Sequence, residues 1–383
     1  EGTYFQQTTF VLGGVTDPMR LAKAWQYVAS QTPVLRSSIV WQAVDEPMQI
    51  VHDHVTLPVN LLDWSQYNDK WRTKALQRLL ARDRAQGINL STAPLMRVTL
   101  ARLPGDEVRV LWTFHHVLLD GWSIFQVLND VFARYAGAEV PERPPFRDYV
   151  EWLQAQDTKP AEDYWTRELG DFTTPTSLPY DRVSDRSSRS AAQVPFSLDE
   201  AATDRLYEFA KHHRLTLNTV IQGVWAVLLS RYSGQRDVCF GATVSGRPPD
   251  LADGITGILI NTLPVRSDVD SAVPVADWLQ ALQVAQTESR QFEHLSLARL
   301  QTCSGVQGPL FDSILVFENY PIDSVHALRI TELEAIEATN YSLSATVYPG
   351  SQLKIMLGYE QARFDQSTIE RLAGHLGVLL EQI

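Results

Sequence analysis

The amino-acid sequence predicts an α/β protein built from two related halves, and three observations carry that expectation. The hydrophobic period switches repeatedly between two and about 3.6 residues, as it does where strands alternate with helices. A length of 383 residues corresponds to two or three folding units of ~150 residues each. Residues 171–192, with two prolines, five serines and no periodicity, read as a link between stretches of similar element content. The expected division is an N-terminal lobe at 1–172, a linker at 173–192 and a C-terminal lobe at 193–383. No self-match in sequence accompanies the likeness of the halves.

The chain opens on a strand-like stretch, Tyr4 to Phe10, already under way near Glu1, so further residues are expected upstream. Asp17 is placed to cap a helix with Pro18 at its first position and Leu21, Trp25 and Val28 on one face, running to Ser30. Strands are expected at Leu35–Gln42 and Gln49–Val51, then a helix at Asp69–Arg84 stopped by Gly87. Strands at Leu95–Arg102 and Glu107–Phe114 should form a hairpin about Pro104-Gly105-Asp106. Helices follow from a cap at Ser123 through Tyr135, and over Phe146–Leu169 with an interruption at Pro160. In the second half a strand at Val194–Ser197 leads into a helix ending at His212, with Ser197-x-x-Glu200 as a capping box. An apolar helix at Leu217–Tyr232 precedes strands at Asp237–Ser245, Phe311–Glu318, Tyr341–Tyr348 and Gln352–Glu360, and a closing helix at Gln366–Gln382.

With 45 acidic against 33 basic residues the formal charge is −12, the wrong sign for tracking phosphate backbones or anionic lipid. Neither nucleic acid nor membrane is an expected partner. The longest apolar run, Val224–Leu229, falls far short of the ~20 residues that span a bilayer. Cys239 and Cys303, the two cysteines, form no CxxC, which fits a reducing cytoplasm and offers no zinc or redox motif. His52-x-His54 has same-face strand spacing but no third ligand, so no metal is expected.

Chemistry concentrates in His115-His116-Val117-Leu118-Leu119-Asp120-Gly121-Trp122-Ser123. This segment lies between an expected strand and an expected helix, where α/β folds place reactive groups. An imidazole, with an unperturbed pKa of ~6.5, accepts and returns a proton near neutrality. Strand geometry points successive side chains opposite ways, so one of His115 and His116 faces any given cavity while the other packs inward. Asp120 can turn back to fix the loop, and Gly121 permits backbone angles denied to other residues. A purely structural loop histidine is the competing reading. For Ser123 a helix N-cap is preferred over a substrate hydrogen bond.

The His-His-x-x-x-Asp-Gly pattern resembles the hallmark of condensation domains of nonribosomal peptide synthetases. Leu35-Arg36-Ser37-Ser38, Phe146 to Trp152, Asp237 to Pro248, Gly257 to Arg266 and Pro309 to Asn319 are similar to family segments in the family's order. The likeness therefore runs from Tyr4 to Ile383. Ser30-Gln31 departs from the family's usual Arg-His, and the family's first motif would precede Glu1.

The resemblance implies two chloramphenicol-acetyltransferase-like lobes forming a V-shaped pseudo-dimer with a central tunnel. It implies an acyltransferase that forms an amide bond between a carrier-bound acyl or peptidyl thioester donor and a carrier-bound aminoacyl acceptor. Substrates would ride on the 4′-phosphopantetheine of carrier proteins, with no cofactor bound by the domain itself. Expected partners are an upstream donor carrier, a downstream acceptor carrier and an adjacent adenylation domain, all in the cytoplasm. On the same resemblance His116 positions or deprotonates the amine, and Gly121 offers a backbone donor to the reacting carbonyl. Asp120 is a structural aspartate held by an arginine, Arg36 as first choice and Arg97 as second. His115, Trp122 and Ser123 support the motif, while Asn261 and Ser245 are tunnel or second-lobe candidates. An epimerisation domain, a coenzyme A-dependent acyltransferase and a catalytically silent recruitment domain compete. Asp-Gly-Trp-Ser and Gly257-x-x-x-Asn261-Thr-Leu-Pro look more like condensation, and more like variants that accept a D-configured donor.

Overall fold

The computed structural model describes residues 4–183, 191–248, 254–318, 328–336 and 340–383. In the N-terminal part the elements are β1 (Phe5–Gly13), α1 (Pro18–Gln31), β2 (Ser37–Val40), β3 (Met48–Val51), β4 (Val59–Asp63), α2 (Asp69–Gln86), β5 (Met96–Leu103), β6 (Glu107–His115), α3 (Gly121–Ala136) and α4 (Phe146–Gln154). There follow α5 (Thr158–Leu169), β7 (Ala191–Ser197), α6 (Glu200–His212), α7 (Leu217–Ser233), β8 (Asp237–Val244), β9 (Asn261–Asp268), α8 (Val275–Ser289) and α9 (Leu297–Thr302). The chain closes with β10 (Ser313–Phe317), β11 (Arg329–Ile336), β12 (Leu343–Tyr348), β13 (Lys354–Glu360) and α10 (Gln366–Glu381).

Among the described residues the chain forms two compact units. One is drawn from Glu1–Gln154, Arg247–Leu259 and Tyr320–Thr339, the other from Ala155–Gly246, Ile260–Asn319 and Asn340–Ile383. This partition differs from the one expected at residues 172 and 193. The first reason is α5, whose Ala161, Tyr164, Trp165 and Leu169 pack with Leu263, Leu300 and Phe311 of the second unit. The second is that two later segments return to the first unit.

In the first unit five of the described strands form a sheet in the order β11-β1-β6-β5-β4, parallel between β4 and β5 and otherwise antiparallel, while β2 and β3 pair antiparallel in a separate two-stranded sheet. Strand alternation sends Phe10, Leu12, Met96, Val98, Val110, Trp112 and Phe114 to one face, where they bury against Leu21, Trp25 and Val28 of α1 and Val127 and Val131 of α3. Trp25 lies 5.0 Å from Trp112, which lies 4.6 Å from Phe114. On the opposite face Gln7, Thr113 and Arg97 stand in register. All three bond to Asp83, which tethers α2 there. The β5–β6 turn places Gly105 and Asp106 at φ +74° and +56°, as a tight hairpin requires.

The second unit's described strands run β7-β13-β12-β10-β8-β9, parallel through β12, β10 and β8. Val238, Phe240 and Ala242 of β8 join the cluster formed with α6, α7, α8 and α10. Cys239, between them, faces the cluster containing α5 and α9.

Several local expectations are corrected. Asp199, not Ser197, caps α6 by accepting from the Ala202 N–H at 2.7 Å. Pro160 lies in the first turn of α5, where a missing N–H costs nothing; the break precedes it, and Asp157 caps the new helix through Lys159. Leu35 and Arg36 belong to a 3-10 turn at Pro33–Arg36, so β2 starts at Ser37. Strands β4, β9 and β11 and helices α8 and α9 were not anticipated from the sequence. Residues 184–190 of the expected linker lie outside the described residues.

Candidate active site

Strand β6 delivers the histidine loop. His115 ends the strand, with its N–H donating to Leu95 O at 3.0 Å, and His116 N–H donates to Tyr4 O at 2.7 Å. The His115 ring accepts the Val117 N–H on Nδ1 at 3.2 Å, which makes Nε2 the protonated nitrogen of its neutral form. Leu118 and Leu119 are fully buried in the first unit's core and pin the middle of the loop. The His116 side chain is half-buried and makes no hydrogen bond to a described residue.

Asp120 is the anchor. Its carboxylate, wholly buried, caps α3 by accepting the Ser123 N–H at 2.8 Å and accepts the Leu259 N–H at 3.0 Å. Arg247 reaches both of its oxygens, at 2.8 and 2.9 Å. Neither Arg36 nor Arg97 takes this part. Arg36 donates to the carbonyls of His52 and Asp53, and Arg97 to Asp83 and the Gly87 carbonyl. Both are committed to holding neighbouring backbone, and nothing in the residues around Arg247 signals that it lies beside the loop.

Ser123 does not cap α3, because Asp120 does. Its buried hydroxyl donates to Gly257 O at 2.8 Å and accepts from Gly257 N at 3.0 Å and Arg247 Nη2 at 3.1 Å, which uses its full bonding capacity. The Asp120 N–H also donates to Gly257 O, at 3.0 Å. Gln126 bonds the carbonyl of Gly254 and the hydroxyl of Thr256. Residues 254–259 thus form a clamp on the start of α3, seated on α4 through buried Ile255, Leu259 and Tyr149. Glycine is required at 257, since a Cβ there would stand 2.2 Å from the Phe146 ring. Gly121, by contrast, is the first residue of α3 and is not among the left-handed glycines; the expectation of unusual angles there is overturned. Trp122 is 45% exposed, with the Arg247 guanidinium 6.0 Å from its ring centre.

In the second unit Ser245 is exposed just beyond β8. Asn261 opens β9 and donates to the carbonyls of Glu293 and Leu295 at 2.7 and 2.8 Å, so its amide organises that turn. Between those carbonyl residues, burial lowers the pKa of His294 below 6.5 despite a hydrogen bond to the Asp157 backbone that raises it. Among the described residues no cluster of metal-binding side chains occurs, and no helix is long and apolar enough to cross a membrane.

Comparison with known proteins places this arrangement. The sequence profile of the Condensation domain matches residues 1–383, and the chain belongs to that family. It is 40% identical over 404 aligned positions to one of the linear gramicidin synthase proteins of Brevibacillus parabrevis, covering 100% of this chain and 5% of that protein. Chondramide synthase cmdD of Chondromyces crocatus is 36% identical, over 96% of this chain and 10% of the synthase. The chain therefore spans a tenth or less of these relatives' lengths. Among solved structures, the X-domain from teicoplanin biosynthesis superposes with a TM-score of 0.82 at 25% identity, over 99% of this chain and 90% of that one. The starter condensation domain of rhizomide synthetase shares the fold with a TM-score of 0.86 at 19% identity, over 100% and 89%.

Proposed function

We propose that this chain joins an acyl or peptidyl thioester, held on the 4′-phosphopantetheine of an upstream carrier, to the amine of an aminoacyl group on a downstream carrier, within a cytoplasmic nonribosomal peptide synthetase. The observation that supports this reading is the loop itself. Asp120 and Ser123 have every polar group engaged, yet the adjacent His116 side chain is half-buried and unbonded. A rigid loop presenting one idle imidazole suits proton transfer to a visiting substrate.

In the proposed step the amine nitrogen attacks the thioester carbon, a C–N bond forms, and the C–S bond breaks as sulfur leaves and takes up a proton. A thioester is already activated, and an α-amine with a reference pKa of ~7.7–8.0 is partly neutral at pH 7. Alignment of two tethered reactants then supplies much of the acceleration. His116 orients the amine or takes its proton as the tetrahedral intermediate forms. Gly121, at the first position of α3, has an N–H without an intrahelical partner, a donor of the kind that stabilises a developing oxyanion.

The test is mass spectrometry of carrier-bound products after mixing the chain with donor-loaded and acceptor-loaded carriers. Amide on the acceptor carrier is expected, and His116→Ala should slow its formation by about 10²–10⁴-fold. Parent-rate condensation by that variant would remove His116 from the reaction. Epimerised donor without condensation would replace the reaction class.

A further inference from the structure

Helix α2 is cationic in a chain whose formal charge is −12. Lys70, Lys74, Arg78 and Arg82 follow one another four residues apart and are all exposed. None makes a hydrogen bond or ion pair with a described residue. The helix's two acids are already engaged, Asp69 with Arg72 and buried Asp83 with Arg97. Like charges four apart on a helix repel and destabilise it, so the stripe weakens α2 unless something outside the unit neutralises it. At its head Tyr67 and Trp71 stack at 3.8 Å while remaining 47% and 39% exposed, a flat apolar platform beside a row of charge about 18 Å long.

We propose that this face docks an acidic surface of a carrier domain; the proposal rests on the carrier-dependent reaction above. The chain's overall negative charge repels extended polyanions such as nucleic acid or an anionic bilayer at a distance. Screening over ~8 Å in physiological salt leaves the stripe free to select carboxylates at contact. Exposed ion pairs are weak singly, but a covalently linked domain is presented at roughly millimolar effective concentration, so a weak contact suffices.

Labelled donor and acceptor carriers are titrated separately with the chain by fluorescence anisotropy, at low and high salt and up to roughly millimolar concentration, the range in which a tethered partner is presented. At least one should bind, more weakly as salt rises. Lys74→Glu combined with Arg78→Glu should weaken that binding by about tenfold or more. Arg205→Glu combined with Lys354→Glu, an equal charge change at exposed positions of the second unit, should leave it unchanged. Lys74→Gln with Arg78→Gln, which cannot create repulsion, should fall between. Parent-like affinity of the reversed variant for both carriers overturns the proposal. So does failure of the parent to bind either carrier, or stripe-dependent binding of phosphatidylserine vesicles or single-stranded DNA in preference to carriers. Because binding is read without turnover, a parent that docks carriers through the stripe but makes no amide refutes the reaction and leaves the docking face standing.

Discussion

A carboxylate with no exposed surface is tolerable only if its neighbours replace water, and Asp120 meets that condition with two N–H groups and a two-point contact from Arg247. Removing one partner of such a pair strands the other, at about 3–5 kcal/mol. Asp120→Ala and Arg247→Ala should each lower the melting temperature by that equivalent. A double Asp120→Asn/Arg247→Leu variant should recover part of the loss, because no uncompensated charge remains; equal losses in all three would mean the pair is not the anchor. Ser123→Ala leaves the Gly257 N–H without its acceptor, while the Gly257 carbonyl keeps the Asp120 N–H, and should cost less, about 1–3 kcal/mol by denaturant titration. His294 carries a pH signature. Its folded pKa lies below the unfolded 6.5 because burial disfavours the charged ring, so the unfolded chain binds the proton more readily and stability falls as pH drops through 6.5. His294→Gln should flatten the decline between about pH 7.5 and pH 5, and an unaltered slope would contradict this origin.

At the level of elements, the clamp of residues 254–259 works because Gly257 lets the Phe146 ring lie against backbone. Gly257→Ala forces an aromatic side chain of α4 to move, an overpacking cost of about 1–3 kcal/mol. Adding Phe146→Leu should relieve part of that cost in thermal melts. Elements with a full apolar stripe or strict alternation were legible in the sequence: α1 with its Asp17 cap and Pro18, and β5–β6 with their turn, stand within a residue or two of expectation. Others escaped for physical reasons. Helix α8 buries little beyond Leu279 and Leu282, too few to print a helical period. Strand β9 carries Pro264 in its middle, tolerated because β9 is the last strand of its sheet. β4 is likewise an edge, with Leu61 left exposed.

Over the whole molecule, the histidine loop could be read directly because its residues are contiguous, whereas its arginine could not. Arg247 lies 127 positions from Asp120, inside the family-like segment Asp237–Pro248, and no local pattern marks it as the partner. The same separation predicts that a fragment of residues 1–172, the lobe expected from sequence, will not fold cooperatively. It lacks Arg247, the 254–259 clamp and strand β11, which pairs with β1. A sharp melting transition with near-ultraviolet circular dichroism from that fragment would contradict the partition.

The interleaving has a practical corollary for hybrid synthetases. A chimera joined anywhere between residues 155 and 190 inherits its histidine loop from one parent and the guanidinium that braces it from the other. Compatibility of such grafts should therefore track whether the incoming C-terminal donor carries an arginine and a glycine at the positions of Arg247 and Gly257, more than overall resemblance between the parents.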